Sequence, residues 1–189
     1  GTGRVAFQVA PHVRWALGVD KQARRIEAAR RRAQNDGVTN VQFIVGDLEQ
    51  MRYDDFAPTG TFQLVTTNLC LSDEMISHLP AAMKPGSTFI GTCFEINHWR
   101  ETGRPSDHAY SEDRLMTVLR ANGFDLINLD VIGSVMQFKS IDQLASEYLP
   151  EHLIERWRGD GRWQRLQSSF GPTGGTLTES KIIFSARLS

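Results

Sequence analysis

The sequence predicts an α/β fold organised on a doubly wound, mostly parallel sheet with an antiparallel terminal strand. Three observations carry this. Short apolar runs alternate with amphipathic helical stretches over most of the chain, several of the runs end in an acid or an amide, and the chain closes on two long strand-like segments. Strands that alternate with helices through short turns pair in parallel and are covered by helices on both faces.

After Gly1-Thr2-Gly3, the stretch "RVAFQVAPHV" sets Val5, Val9 and Val13 at helical spacing and is interrupted by Pro11, which predicts a short helix ending near Ala10. "WALGVD" then reads as a strand ending at Asp20. In "KQARRIEAARRRAQNDG" the residues Ala23, Ile26, Ala29, Arg30 and Ala33 mark one helix face, the arginines make a solvated one, and Asn35-Asp36-Gly37 is the stop. "VQFIV" is a strand leading to Asp47, "TFQLVTTN" another, and "SDEMISHLPAAM" a helix with Ser72 as its N-cap. "KPG" reads as a turn and "STFIGTCFE" as the strand that follows. "SEDRLMTVLRANGF" is an amphipathic helix capped by Ser111, with Leu115, Val118 and Leu119 inward and Asn122-Gly123 as its end. "DLINLDVIGSVMQF" and "TESKIIFSARL" are the two closing strands. Between them, residues 139–175 are too many for a hairpin loop and carry helical periodicity, so they read as a helical insertion.

The chain has 189 residues, 40% of them apolar, which is enough for one domain with a sizeable core, and one domain spanning 1–189 is the expectation. Charged residues make up 23% and balance to a net charge of -1, so no summed positive field recommends nucleic acid or an anionic membrane; a small-molecule partner fits better. Cys70 and Cys93 lie in apolar contexts, as reduced packed thiols do. No apolar run approaches the ~18 residues that span a bilayer, and no signal-peptide pattern opens the chain, so the expected setting is soluble and cytoplasmic. No His/Cys cluster has metal-ligand spacing.

In an open parallel sheet, ligands bind beyond the carboxyl ends of the strands, where a glycine turn lets backbone approach closely. Gly1 and Gly3 sit where such a turn belongs, and Asp20 ends the next strand, where a carboxylate can accept both hydroxyls of a ribose. Asp47, beyond the following strand, can reach along the same edge to an exocyclic amine such as that of adenine.

On these residues the sequence resembles the class I S-adenosylmethionine-dependent methyltransferases, whose sheet is Rossmann-like. "GTGR" looks like the second half of their E/D-x-G-x-G-x-G motif, "LGVD" like the ribose-binding strand end, and "VGDLEQM" like the adenine-binding acid with its apolar neighbour. "FQLVTTNLCLSD" is similar to their fourth-strand motif, and "AAMKPGSTFIGTCF" to their L-K-P-G-G-x-F turn and fifth strand. The resemblance covers roughly residues 1 to 135 and the last strand near 180 to 188. It implies S-adenosylmethionine as cofactor and S-adenosylhomocysteine as product. It also implies Gly1 and Gly3 at the methionine moiety, Asp20 at the ribose, Asp47 and the Leu48 amide at the adenine, and Asn68 with Leu69 as the floor beneath the sulfonium. Ser87 stands where the family has the second glycine of its turn, and the family's first strand and opening acid have no counterpart here. A polypeptide truly beginning at Gly1 is therefore expected to bind cofactor poorly.

"GTGRVA" also satisfies the G-x-G-x-x-G/A pattern of NAD-binding folds, so an NAD(P)-dependent oxidoreductase is the rival reading. A non-catalytic cofactor-binding domain is the third. Asp47 with its apolar neighbour, the "KPGS" turn, the terminal strand pair and the lack of a Tyr-x-x-x-Lys pair favour methyl transfer.

Methyl transfer is an in-line displacement that needs alignment and dryness, and no residue is obligatory as catalyst. The loop "EINHWRETGRPSDHAY" follows the fifth-strand segment and holds the acceptor-side candidates: Glu95 and His98 as bases, Trp99 and Tyr110 as walls, Arg100 and Arg104 as anion clamps. The insertion 139–175 is expected to act as a lid that carries acceptor specificity. Its stripe Leu144, Tyr148, Leu149, Leu153, Ile154 and Trp157 reads most simply as packing, while Trp163 and Phe170 suit either role. Acceptor identity and oligomeric state are not encoded in these motifs.

Overall fold

The computed structural model describes residues 1–53 and 61–189, and the chain divides into two compact units, Gly1–Pro58 and Thr59–Ser189. In the first unit, helix α1 (Arg4–Val9) passes into a 3-10 turn (Ala10–His12) in which Pro11 occupies an early position. Proline tolerates the start of a helix because its missing N–H would be unpaired there in any case, so Pro11 converts the helix to a turn without breaking the path of the chain. Strand β1 (Ala16–Asp20), helix α2 (Ala23–Asn35) and strand β2 (Val41–Val45) follow, and β1 and β2 pair in parallel with Asp20 opposite Val45. The face of α2 read from the sequence buries Ile26, Ala29 and Ala33 with Phe43, and Ala6, Phe7 and Val41 pack around them. The arginine face is only partly given to solvent. Arg30 donates twice to the Phe43 carbonyl, at 3.0 and 2.6 Å, and the Arg32 guanidinium lies 4.4 Å from the centre of the Phe7 ring.

The second unit contains β3 (Phe62–Asn68), α3 (Asp73–Ala82), β4 (Met83–Glu95), β5 (Ala109–Tyr110), α4 (Glu112–Ala121), β6 (Phe124–Phe138), α5 (Ile141–Glu147), α6 (Glu151–Asp160), α7 (Arg162–Ser168) and β7 (Gly175–Leu188). Its sheet runs β3-β4-β7-β6, with β5 beside the end of β4. Strands β3, β4 and β5 are parallel, and β7 is antiparallel to both of its neighbours. The predicted caps form: Ser72 accepts from the Met75 amide at 3.2 Å and Ser111 from the Arg114 amide at 3.2 Å. Phe89 centres the core, 5.6 Å from Phe124 and 5.1 Å from Phe184 ring to ring, and Ile76, Leu79, Leu115 and Leu119 of α3 and α4 are buried. Gly91 of β4 is there because nothing larger fits; a β-carbon would lie 2.3 Å from the Phe184 ring and 2.9 Å from the Thr67 hydroxyl.

Three details depart from the sequence reading. "KPG" lies inside β4: Met83 already pairs with Phe62, and the register shifts before Leu64 meets Thr88, so the turn becomes an irregularity within one long strand. Ser87, the departure from the family turn, is buried there and donates to the Phe62 carbonyl at 3.0 Å, which stitches the irregularity to β3. Strand β7 begins earlier than expected, at Gly175, because its ladder with β6 continues to the root of the insertion, where Phe138 faces Gly175. Third, the post-β4 loop contains the short strand β5, whose two residues gave no periodicity to read. The insertion forms its own core of Leu144, Leu149, Leu153, Ile154, Trp157, Trp163 and Leu166 with Phe138 and Leu177, and Phe170, Tyr148 and Trp99 pack against it. Among the described residues, no helix is long and apolar enough to cross a membrane.

Candidate functional site

In the first unit the glycine turn and both carboxylates lie at one end of the parallel pair. Asp20 is the last residue of β1, and its carbonyl accepts the Gly46 amide at 3.1 Å, so the chain leaving β2 is tied to the end of β1 one residue before Asp47. Parallel pairing therefore delivers Asp20 and Asp47 to the same edge. The Asp20 carboxylate accepts the Gln22 amide at 2.7 Å, the Gly1 amino group, and Arg25 at 3.5 Å. Burial, the largest single influence, disfavours its charged form, while the Gln22 amide and the positive charge of Arg25 favour it. Asp20 is thus an anion fixed in direction, as an acceptor for neighbouring hydroxyls should be.

Gly3 adopts φ +83°, in the left-handed region, and a β-carbon there would stand 2.7 Å from Phe7 and 2.8 Å from Phe43. Both facts demand glycine, and they place bare backbone close to the Asp20 edge. Asp47 turns the chain, its carbonyl accepting the Met51 amide at 2.9 Å and its side chain the Glu49 amide at 3.1 Å; the Leu48 carbonyl takes the Tyr53 hydroxyl at 2.8 Å.

In the second unit the corresponding ends of β3 and β4 carry the two non-glycine residues with left-handed backbone among the described residues, Leu69 and Trp99, both at φ +58°. Such conformations cost about 1–2 kcal/mol each and persist where the surroundings enforce them. Asn68 ends β3, and the Leu69 amide donates to the Thr92 carbonyl at 2.7 Å. The next helix is anchored by a network that the sequence reading missed: the Asp73 carboxylate accepts the Tyr110 hydroxyl at 2.6 Å and Arg114 at 3.0 Å, and the Arg114 guanidinium lies 4.6 Å from the centre of the Tyr110 ring. Tyr110 is buried, so it ties β5 to α3 and does not present its ring as an open wall. Asp73 gave no signal beyond that of an acid in a first helical turn.

Of the remaining candidates, Glu95, His98 and Trp99 are brought together at the end of β4, whereas Arg100 and Arg104 are exposed and pair locally with Glu101 at 3.6 Å and Asp107 at 3.2 Å. Glu95 spends both oxygens on Asn97, accepting its amide and its side-chain nitrogen at 2.9 Å each. His98 is buried, 4.4 Å from Phe94 and 4.3 Å from Trp99 ring to ring, and its Nδ1 accepts the Ser180 amide at 3.0 Å. Burial drives its pKa down to about 4 against the opposing pull of Glu179. A neutral imidazole whose Nδ1 is an acceptor carries its proton on Nε2, so His98 locks the loop to β7 as an acceptor while its buried Nε2 has no hydrogen-bond partner. Glu101 fastens the same loop by accepting the Thr178 amide and hydroxyl at 3.0 and 2.6 Å.

A family model described as a methyltransferase domain matches residues 1–143. Comparison with curated proteins gives no match. Among solved structures, the chain is similar to the YcgJ protein of Bacillus subtilis (16% identity, 100% of this chain and 88% of that one, TM-score 0.73). It is also similar to an S-adenosylmethionine-dependent methyltransferase of Mesorhizobium loti (15% identity, 99% and 87%, TM-score 0.62). A third is a geranyl diphosphate methyltransferase solved in complex with S-adenosylmethionine (14% identity, 100% and 75%, TM-score 0.63). The chain belongs to the methyltransferase-domain family and shares the fold of these proteins.

Proposed function

We propose that the protein moves the methyl group of S-adenosylmethionine to a small-molecule or carrier-bound acceptor by in-line displacement, as a soluble cytoplasmic enzyme. The observation that carries this reading is the shared edge of Asp20 and Asp47, tied together by the Gly46 amide on the Asp20 carbonyl at 3.1 Å, with Gly3 held left-handed beside it. An oriented carboxylate and close backbone suit a nucleoside with an attached amino-acid chain.

Asp20 accepts the ribose hydroxyls; Asp47 and the Leu48 amide take the adenine; Gly1 and Gly3 let backbone approach the methionine part. When bound, S-adenosylmethionine supplies a methyl group already activated on sulfur, so the chain's own task is alignment and exclusion of water. Glu95 and His98, whose acceptor atoms are taken by Asn97 and the Ser180 amide, position the loop after β4. Trp99, Arg100 and Arg104 are the acceptor-side candidates, and the insertion 139–175 acts as the lid that sets specificity. Net charge -1 favours a small acceptor over nucleic acid.

The test is thermal denaturation of the full-length protein with S-adenosylhomocysteine and, separately, with NAD(P)H, followed by labelled-methyl transfer across an acceptor panel. The expected result is stabilisation by S-adenosylhomocysteine alone and label in product. Stabilisation by NAD(P)H alone would install the oxidoreductase reading, and cofactor binding without transfer to any acceptor would install the non-catalytic one.

A further inference from the structure

Three ring nitrogens of the second unit are buried without a hydrogen-bond partner: Nε2 of His98, Nε1 of Trp99 and Nε1 of Trp157. Their rings form one run, His98 to Trp99 at 4.3 Å and Trp99 to Trp157 at 4.9 Å between centres, with Phe94 4.4 Å from His98. His98 and Trp157 are 1 and 0% exposed. Native folds rarely leave a buried donor unpaired, and here three belong to rings in contact. The Trp99–Trp157 pair is T-shaped at 79°, which gives at most one indole N–H a ring face to point at, a weaker contact than an oxygen offers. The carboxylates that act on His98 are committed elsewhere, Glu95 to Asn97 and Glu179 to the Tyr148 hydroxyl and Lys181.

Chemistry specifies the missing partner. An indole N–H only donates, and His98 carries its proton on Nε2 because Nδ1 accepts the Ser180 amide, so all three groups are donors. Their complement accepts hydrogen bonds and offers none. The charges felt by His98 are those of Glu179, Glu95 and Lys181, two carboxylates against one ammonium, and Arg162, 5.7 Å from the Trp157 ring, is paired with Asp160. A further anion is therefore disfavoured. An uncharged carbonyl oxygen meets both conditions and has lone pairs for two of the donors, and a flat apolar body suits the Phe94, Trp99 and Trp157 rings.

We propose that His98, Trp99 and Trp157 recognise the methyl acceptor as an uncharged aromatic carbonyl compound, their ring N–H groups holding its carbonyl oxygen. The inference rests on the reading above that sets Trp99 on the acceptor side, and adds the substrate class. Trp157 stands on α6 of the insertion and Trp99 on the loop after β4, so the ligand enters as the insertion lifts and parts the two rings. His98 stays anchored to β7 through Ser180.

The probe is 2-acetylnaphthalene, with 2-isopropenylnaphthalene, in which a methylene replaces the carbonyl oxygen, as its isostere and 2-naphthoate as its anion. Equilibrium dialysis of the full-length protein, with and without S-adenosylhomocysteine, should show the ketone binding about tenfold more tightly than either, the worth of one or two hydrogen bonds. Trp99→Phe and Trp157→Phe each keep a ring and delete a donor, and should weaken ketone binding by about three- to tenfold while the alkene's affinity holds. In nitrogen-15-labelled protein, the indole N–H resonances that vanish in those two variants should move downfield with the ketone and stay in place with the alkene. Equal binding of ketone and alkene, tightest binding of the naphthoate, binding of none of the three, or an absent ketone shift at both indoles would overturn the proposal. Thermal stabilisation by S-adenosylhomocysteine reports separately on the methyltransferase reading. Stabilisation without ketone preference removes this inference alone, and ketone preference without stabilisation keeps the carbonyl site and removes methyl transfer.

Discussion

Burial of a neutral His98 makes a prediction with a defined sign. Its imidazole is stacked by Phe94 and Trp99 and spends Nδ1 on the Ser180 amide. Burial lowers its pKa from 6.5 to about 4, with Glu179 and Glu95 pulling up and Lys181 pulling down. The unfolded chain therefore takes up a proton at His98 on acidification through 6.5, and the folded chain does so only near 4. Stability must rise with pH across that window and be fully present above it. A difference of about 2.5 pH units at about 1.4 kcal/mol each, less the part lying below the lowest usable pH, gives about 2 to 3 kcal/mol between about pH 7.5 and 4.5. His98→Asn is the matched control, because the Asn Oδ1 can stand in for Nδ1 as acceptor of the Ser180 amide but does not titrate. Urea denaturation followed by tryptophan fluorescence should show the wild-type advantage over His98→Asn shrinking by that amount as the pH falls. Two curves that stay parallel across the window would refute a buried neutral imidazole at this position.

Two further changes test the packing that carries the site. Gly91→Ala forces a methyl into the Phe184 ring, which is itself buried, and should cost about 1–3 kcal/mol in urea denaturation; a neutral result would mean that the β3-β4-β7 core is looser than described. Tyr110→Phe removes the 2.6 Å hydrogen bond to Asp73 and should destabilise by about 1 kcal/mol at neutral pH. Asp73, on which burial pulls upward but which the bonds from Tyr110 and Arg114 hold below its ordinary value, loses that advantage once protonated, so the cost should fade in acid below the usual carboxylate range. A cost that persists there would separate the effect from the Asp73 charge.

Much of this architecture was legible because periodicity and punctuation coincide. The α2 face, the Ser72 and Ser111 caps and the strand ends at Asp20 and Asn68 are each set by neighbours within a few residues, so local pattern suffices to place them. What escaped is set by distant partners. The left-handed Leu69 and Trp99 are held by Thr92 and Thr178, on other strands, and no local composition marks an aliphatic or aromatic residue for that region. Tyr110 read as a wall because an aromatic in a loop near a strand end often is one, and its bond to Asp73, 37 residues away, depends on β5 pairing with β4. Glu95 and His98 read as bases by residue type, and only the structure reveals that Asn97 and the Ser180 amide already occupy their acceptor atoms.

The central claim is that Asp20 is the anchor of an adenosyl cofactor, and equilibrium binding of S-adenosylhomocysteine to the full-length protein and its Asp20→Asn variant tests it most directly. Asparagine keeps the shape and loses the charge and one acceptor, so the account predicts binding weaker by about 10- to 100-fold, the worth of one or two charge-assisted hydrogen bonds. Equal affinity in the two proteins would contradict it.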